Sequence, residues 1–445
     1  MKGGNIRILK RFFLLKLFLI IFITMQTKNA NAFSPLAGFK KTVFKNGLTV
    51  FIKKDSRLPV VTIQMWVRAG TLDENPKNNG VSHFLEHMLF KGTTHYNVSE
   101  ISRTVESRGG IINAGTSKEF TQYYIDISTG GFDDSLKIIA DIAQNATFPQ
   151  EEFDRERLVV LEEIKRAEDN PDHSLYDGFN SELFNATKYR FLVLGTTQTI
   201  SAMTRSDMLD YYKKFYIPQN MILVIAGDIN PKKTLQSVKK LLNDMPQGIK
   251  IERENLIEPS KPHITSGVKK NVQQSYSLSG FLGPEIASKY QYPADVLGTI
   301  LGGGRSSRLY KKLREEKQLV YSVGAGFESQ IGSGVFYVMT ISKPDKLTEI
   351  KKEITSEFDR LISENIPDSE LDKAKELFKS SWYFNFETVH QQASTVGYWA
   401  LAGRLDFVKT YIRKINKVSD KDIKKFLNTY YTGFTSFSVN PAPSR

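Results

Sequence analysis

The stretch Val81-Ser82-His83-Phe84-Leu85-Glu86-His87-Met88-Leu89-Phe90 constrains this chain more than any other. It holds no Gly or Pro and reads as a helix. His83 and His87 are four apart, so both imidazoles project from one face, one turn apart. Two nitrogens can therefore reach a single metal ion. Glu86 stands beside that ion without being forced to ligate it, the H-x-x-E-H order. A catalytic zinc site has three protein ligands and keeps an open position for water, whose proton a nearby carboxylate can take. The two imidazoles leave one ligand unassigned, so the chain has to fold a further donor onto this helix. Only six His occur in 445 residues, which leaves little room for a chance pairing.

A chain of 445 residues is too long for one ordinary core, and two or more domains are expected. Hydrophobic residues at 40% and charged residues at 24% are those of a folded chain. There is no cysteine, so any metal must use His, Asp or Glu. Residues 1–32 carry six basic residues and no acid, and without them the formal charge drops from +13 to +7. The remaining excess is spread over Lys-rich helices and forms no basic stripe with interleaved aromatics, so no nucleic-acid partner is expected.

Residues 1–32 have the parts of a secretory signal: a basic start closing at Lys10-Arg11, an apolar block from Phe12 to Thr24 interrupted by Lys16, and Ala30-Asn31-Ala32 as a small-x-small cleavage site. The run after Lys16 is shorter than the roughly 20 residues a membrane span needs. The expectation is export, to the periplasm of a Gram-negative bacterium, with no stable membrane span once the leader is removed. An uncleaved leader acting as a tether is the alternative.

Thr42-Val43-Phe44, the turn Lys45-Asn46-Gly47 and Leu48–Ile52 suggest a hairpin. Val60–Val67 is the next strand, followed by an Asn/Gly/Pro-rich loop over 70–80. Ser82, Asn78 or Asn79 are local candidates to cap the helix that follows. A helix near 99–107 leads to Ile111–Ser117 and an alternating strand at Phe120–Ile127. A strand beside a metal site offers a free edge to an extended peptide backbone; a plain internal strand is the other reading. Residues 132–146 and 150–168 are helical, and the second carries Glu156 and Glu163 on one face, with Glu162 roughly 100° away. A carboxylate from such a later helix is the natural third ligand. A helix at 205–215, a buried strand at Met221–Ala226 and a helix at Pro231–Leu242 complete the first half.

The charged, Pro-containing stretch 246–262 reads as a linker. The second half has strands at Val272–Phe281, Val320–Phe327, Gly334–Ile341 and Thr435–Val439. Its helices are placed at Tyr292–Leu301, up to about Glu316, and at 345–363, 368–381, 389–402 and 420–429. Gly302-Gly303-Gly304 is no phosphate loop, since no Gly-Lys-Ser/Thr follows. The boundaries are 1–32 signal, 33–250 first domain, 251–263 linker and 264–445 second domain. The fold class is α+β: two related sheet-and-helix sandwich domains, the product of a duplication with faint residue identity. His95, His173, His263 and His390 lack metal spacing, and Trp66, Trp382 and Trp399 are assigned to packing.

At these residues the chain resembles the pitrilysin/insulinase-type zinc peptidases, in particular the short processing-peptidase-like members. His83–Thr93 is close to the metal motif with its following Gly92-Thr93. Asn113-Ala114 with Thr116-Ser117 and Glu119 looks like the segment before the substrate-binding edge strand. Arg155–Ile164 matches the third-ligand helix, placing the ligand on Glu163 and a companion acid on Glu156. Leu301–Leu309, and Leu313-Arg314 through Tyr321, resemble the Arg/Tyr element. The resemblance implies one Zn²⁺ per chain on His83, His87 and Glu163, Glu86 as general base, and Arg314 and Tyr321 assisting catalysis. Asn113 and Ala114 would contact an extended peptide or unfolded segment. It also implies a clamshell of two such chains, a homodimer or a heterodimer with a paralogue, in which one chain's Arg/Tyr element reaches the other's metal. The rival reading is a non-catalytic assembly subunit on the same fold.

Overall fold

The first sheet is built from β1 (Lys40–Val43), β2 (Thr49–Lys54), β3 (Val60–Val67), β4 (Ile111–Thr116), β5 (Thr121–Ser128) and β6 (Met221–Gly227), in the order β1-β2-β6-β3-β5-β4. The second is built from β7 (Thr265–Lys270), β8 (Ser275–Leu282), β9 (Val320–Glu328), β10 (Val335–Ser342) and β11 (Thr435–Pro441), in the order β7-β11-β8-β10-β9. Apart from the extra β1, the two orders are the same. Each has one parallel pair, β2 with β6 and β7 with β11, and is otherwise antiparallel. Two sheets of the same topology in sequence are the signature of a duplication, which side chains alone barely preserve. β4 and β9 are the matching edge strands.

This is a computed structural model, describing residues 34–249, 251–254, 256–259 and 263–443. The sheets belong to the unit Gly38–Arg445; of Met1–Ala37 only residues 34–37 are described, within a turn. The expected leader therefore lies outside the described residues. Among the described residues, no helix is long and apolar enough to cross a membrane.

The first half's helices are α1 (Val81–Met88), α2 (Glu100–Glu106), α3 (Phe132–Gln144), α4 (Gln150–Asp169), α5 (Pro171–Leu183), α6 (Thr197–Ala202), α7 (Arg205–Phe215) and α8 (Pro231–Leu242). The second half's are α9 (Gln291–Gly302), α10 (Leu347–Ser363), α11 (Asp368–Phe384), α12 (Val389–Leu401), α13 (Leu405–Ile415) and α14 (Asp420–Tyr430). A π-helical turn covers Tyr310–Glu316.

Two helices cross over. α12 lies on β3 and β6 of the first sheet, and α5 lies on β8 and β11 of the second. β6 is buried along its whole length and β3 at every position but Val60, because both faces of the sheet are covered. A glycine makes room at each crossing. A Cβ on Gly397 of α12 would come 2.2 Å from Nε1 of Trp66, and one on Gly178 of α5 would come 2.2 Å from Cζ of Phe437. Leu175, Phe179 and Leu183 of α5 are buried with Leu278, Leu282, Phe437 and Val439. Each such side chain contributes about 1.5–3 kcal/mol on burial, so the exchanged helices hold the halves far more firmly than a polar domain contact would.

Four elements differ from the sequence reading. β7 is an edge strand of mostly exposed residues, Thr-Ser-Gly-Val-Lys-Lys, and lacks a clear alternation. α5, α6 and α13 fall in stretches that the sequence reading leaves unassigned. The stretch between the halves carries no helix or strand among its described residues. Glu258 there is 5% exposed and accepts from the Ala186 and Thr187 amides and the Thr187 hydroxyl. A buried carboxylate with three donors pins the segment, so it is no free spacer. The triple glycine is a close-packed turn: a Cβ on Gly302 would come 2.1 Å from the Ala325 amide, and Gly304 has φ +83°.

Candidate active site

α1 starts at Gly80, whose φ of 95° only glycine adopts without strain. None of the local cap candidates does the capping. Glu74 reaches forward instead: its Oε2 accepts from the Gly80 amide and from Asn79 Nδ2, both at 2.8 Å, and its Oε1 accepts from the Ser82 amide at 2.9 Å. An anionic acceptor at a helix N-terminus satisfies free amides and complements the dipole. The Ser82 hydroxyl pairs with Tyr211 Oη at 2.7 Å instead of capping. Val81, Phe84, Leu85 and Met88 bury the other face of α1 in the core.

Phe84 stacks on Phe153 of α4, with centroids 4.8 Å apart and planes at 23°. That contact aligns α4 along α1. Glu152, Phe153, Glu156, Val160 and Ile164 are the buried residues of α4, and Glu163, half-buried, lies at the edge of that stripe beside Glu156 by helical spacing. Glu162 is exposed.

His83 Nε2 and His87 Nε2 lie 3.6 Å and 3.5 Å from Glu163 Oε2. One donor atom from each of the three residues lies within 4.8 Å of the others. A tetrahedral zinc with ligands at about 2.0–2.1 Å separates its donors by about 3.4 Å, so two imidazoles and a carboxylate at these spacings fit that ion. The Nδ1–H of His87 donates to Glu156 Oε1 at 2.9 Å, so Nε2 is the atom that would ligate a metal, which would displace its proton. Glu156 is held in turn by Lys91 at 2.7 Å. His83 has no such support, since its Nδ1 is buried with no hydrogen-bond partner among the described residues.

The electrostatics favour a cation. Burial, with His87 alongside, takes His83 down to about 4, so its imidazole is neutral at neutral pH. Burial works to lower His87 too, but Glu156 and Glu163 outweigh it and hold the group up at about 9. The hydrogen bond from His87 lowers Glu163. Burial opposes ionisation of Glu156, but His87 and Lys91 bring it below its ordinary value.

Glu86 projects beside the cluster, and Thr116 Oγ1 donates to its Oε2 at 3.0 Å. Burial raises the Glu86 pKa against the pull of His87 and Thr116. Thr116 is the last residue of edge strand β4, so Glu86 sits at the end of that edge. Asn113 and Ala114 lie on β4 opposite Tyr124 and Tyr123 of β5. Arg314 and Tyr321 are elsewhere. Arg314 donates to the Val320 carbonyl at 3.0 Å, and Tyr321 is 45% exposed at the start of β9. Among the described residues, no hydrogen bond or ion pair joins either to the metal cluster.

The sequence reading missed Glu74, Lys91 and Thr116 as parts of the site. Lys91 and Thr116 stood in motif segments without a role. Glu74 sat in a loop whose composition signalled only a turn.

The model of the insulinase family of peptidases (Peptidase M16) matches residues 49–197, and that of the Peptidase M16 inactive domain matches residues 202–378. An uncharacterized zinc protease of Rickettsia felis is 31% identical over 403 residues, spanning 90% of this chain and 97% of its own. The uncharacterized zinc protease YmxG of Bacillus subtilis is 29% identical over 394 residues, spanning 88% and 96%. A solved protease from Helicobacter pylori superposes with a TM-score of 0.86 at 25% identity, covering 91% of this chain and 99% of that one. Two sheet-and-helix halves of this topology define the M16 peptidase fold. The chain belongs to the insulinase-type M16 peptidase family.

Proposed function

We propose that this chain is a zinc-dependent endopeptidase acting on extended peptides or unfolded segments. The observation that carries the reading is the meeting of three donors, His83, His87 and Glu163, with an uncommitted carboxylate, Glu86, at the end of a free sheet edge. Zinc held by the three donors would supply a Lewis acid that polarises a carbonyl and acidifies water. Glu86 takes the proton of the attacking water at its carboxylate and delivers it to the leaving amine nitrogen. Thr116 holds Glu86 in place for both transfers. β4 offers unpaired backbone groups to an extended chain, so affinity comes from the peptide backbone and selectivity is low. Asn113 and Ala114 border that path.

Arg314 and Tyr321 serve the site of a second chain in this reading. The support is their position on the second half, with Tyr321 exposed on the edge strand that matches β4. The working unit would be a dimer with a second copy or with a paralogue. Export by the leader is part of the same proposal.

The test is cleavage of a mixed pool of unstructured peptides by zinc-loaded protein, with Glu86→Gln as control. Turnover that disappears in the variant while zinc stays bound supports the reading. Undiminished turnover in Glu86→Gln would remove the proposed base. A zinc-loaded chain without turnover, alone or with any paralogue, would leave the assembly-subunit reading in its place.

A further inference from the structure

Arg253 lies in the stretch that composition marks as linker, yet it is one of the most buried charges in the chain. Its side chain is 4% exposed and that of its partner Asp73 is 3% exposed. Nε donates to Asp73 Oδ1 at 3.0 Å and Nη2 to Oδ2 at 2.6 Å, a planar fork on a carboxylate. Nη2 also donates to the backbone carbonyl of Glu119.

Two elements of the proposed site therefore end on one guanidinium. Asp73 precedes Glu74, the cap of α1. Glu119 lies three residues beyond Thr116, the end of β4 and the partner of Glu86. The two segments already touch. The Leu72 amide donates to the Lys118 carbonyl at 3.0 Å, and a Cβ on Gly70 would come 2.5 Å from the Ser117 carbonyl oxygen. The Glu119 carboxylate, in turn, accepts from Tyr189 Oη and from the Ile331 amide, both at 2.6 Å. The turn after β4 is thus gripped from both sides.

A buried ion pair is a poor source of net stability, because desolvation offsets its Coulombic gain, and its better-attested use is to fix one geometry. We propose that Arg253 is a positioning residue: it locks the cap segment of α1 and the end of β4 into one register, so that Glu86 and a peptide on β4 meet at a fixed distance. The role in turnover rests on the peptidase reading; the register claim does not. Arg57 provides the control. It makes the same fork on Asp55, just after β2, at 2.8 Å and 2.7 Å, with its own side chain 65% exposed.

The experiment uses the full zinc-loaded chain. Arg253→Met leaves Asp73 buried and unpaired and can fail to fold, so the main variant is Asp73→Asn/Arg253→Met. Its kcat on an unstructured peptide should fall about ten- to a hundredfold, as misplacement of reacting groups does, with zinc content and KM little changed. Arg253→Lys should recover part of that loss, and Arg57→Met should show none. Native-state hydrogen exchange reads the register without any turnover. The Gly80 and Ser82 amides should exchange at least tenfold faster in the double variant and unchanged in Arg57→Met. Wild-type kcat together with unchanged exchange would overturn the proposal. If the wild type has no activity, the peptidase reading fails, and unchanged exchange would still overturn the register claim separately.

Discussion

In the first half, the space between α1 and α4 holds two imidazoles with Glu86, Glu156 and Glu163 around them. In the second half, α9, α11, α12 and α13 enclose aromatic rings instead. Tyr292 stacks on Phe407 at 5.0 Å, Trp382 on Tyr411 at 4.4 Å, and Trp399 on Phe407 at 4.9 Å. Both halves use the same five-strand order, and each covers the other's sheet with a helix. One architecture is thus filled once with charge and once with rings. The contrast teaches that this topology carries no chemistry of its own; the candidate chemistry rests on the donors of α1 and α4. It also shows what the other half contributes: a helix on the first sheet, and the turn at 331–332 whose Ile331 amide holds Glu119.

The largest break in the comparison is expected from Glu86→Gln. Turnover should fall about 10²–10⁴-fold while bound zinc, measured by elemental analysis, stays at the wild-type level. Glu156→Ala comes next. Releasing His87 Nδ1 should weaken zinc affinity about 10–100-fold in a competition titration, whereas Glu370→Ala in the second half should leave it alone. Gly397→Ala and Gly178→Ala sharpen the symmetry. Each forces a Cβ against an aromatic ring and should cost about 1–3 kcal/mol, read as a lower Tm. Similar losses are expected, because the two crossings use the same device; a loss at one alone would break the equivalence.

The smallest effect is one of pH. Burial pushes Asp295 up to about 8, against the hydrogen bond from Tyr411. The folded chain therefore keeps a proton that the unfolded chain releases near its ordinary value of 3.8. That contribution is fully present below about 4 and is lost as pH rises from about 4 to about 8. Asp295→Asn keeps an acceptor for Tyr411. It should raise Tm by a few degrees at pH 8 and leave it unchanged at pH 4 in thermal scans.

What could be read from sequence was what local period encodes. His83, Glu86 and His87 lie within five residues on one helix, and Glu163 lies in a helix whose own motif resembles a ligand helix. The strands β3, β5 and β6 and most helices followed from their alternation or their 3.6-residue period. Long-range partners were not legible. Glu74 caps α1 across a left-handed glycine, and Arg253 reaches Asp73 across 180 residues, so no local pattern announces either. The helix exchange was hidden for the same reason. α5, with Gly178 inside it, is a poor helix by propensity. It is nucleated by Asn170, whose side chain caps the Asp172 and His173 amides, and by Pro171 in the first turn. β7 stayed invisible because an exposed edge strand has no face to bury. Arg314 and Tyr321 came from resemblance alone, and within this chain they stay away from the metal cluster.

The most direct test of the account is zinc stoichiometry by native mass spectrometry, on wild type and on His83→Ala/His87→Ala. One ion per chain is expected in the wild type and none in the variant, with the second half binding nothing. No ion in the wild type, or an ion that survives loss of both imidazoles, would contradict it.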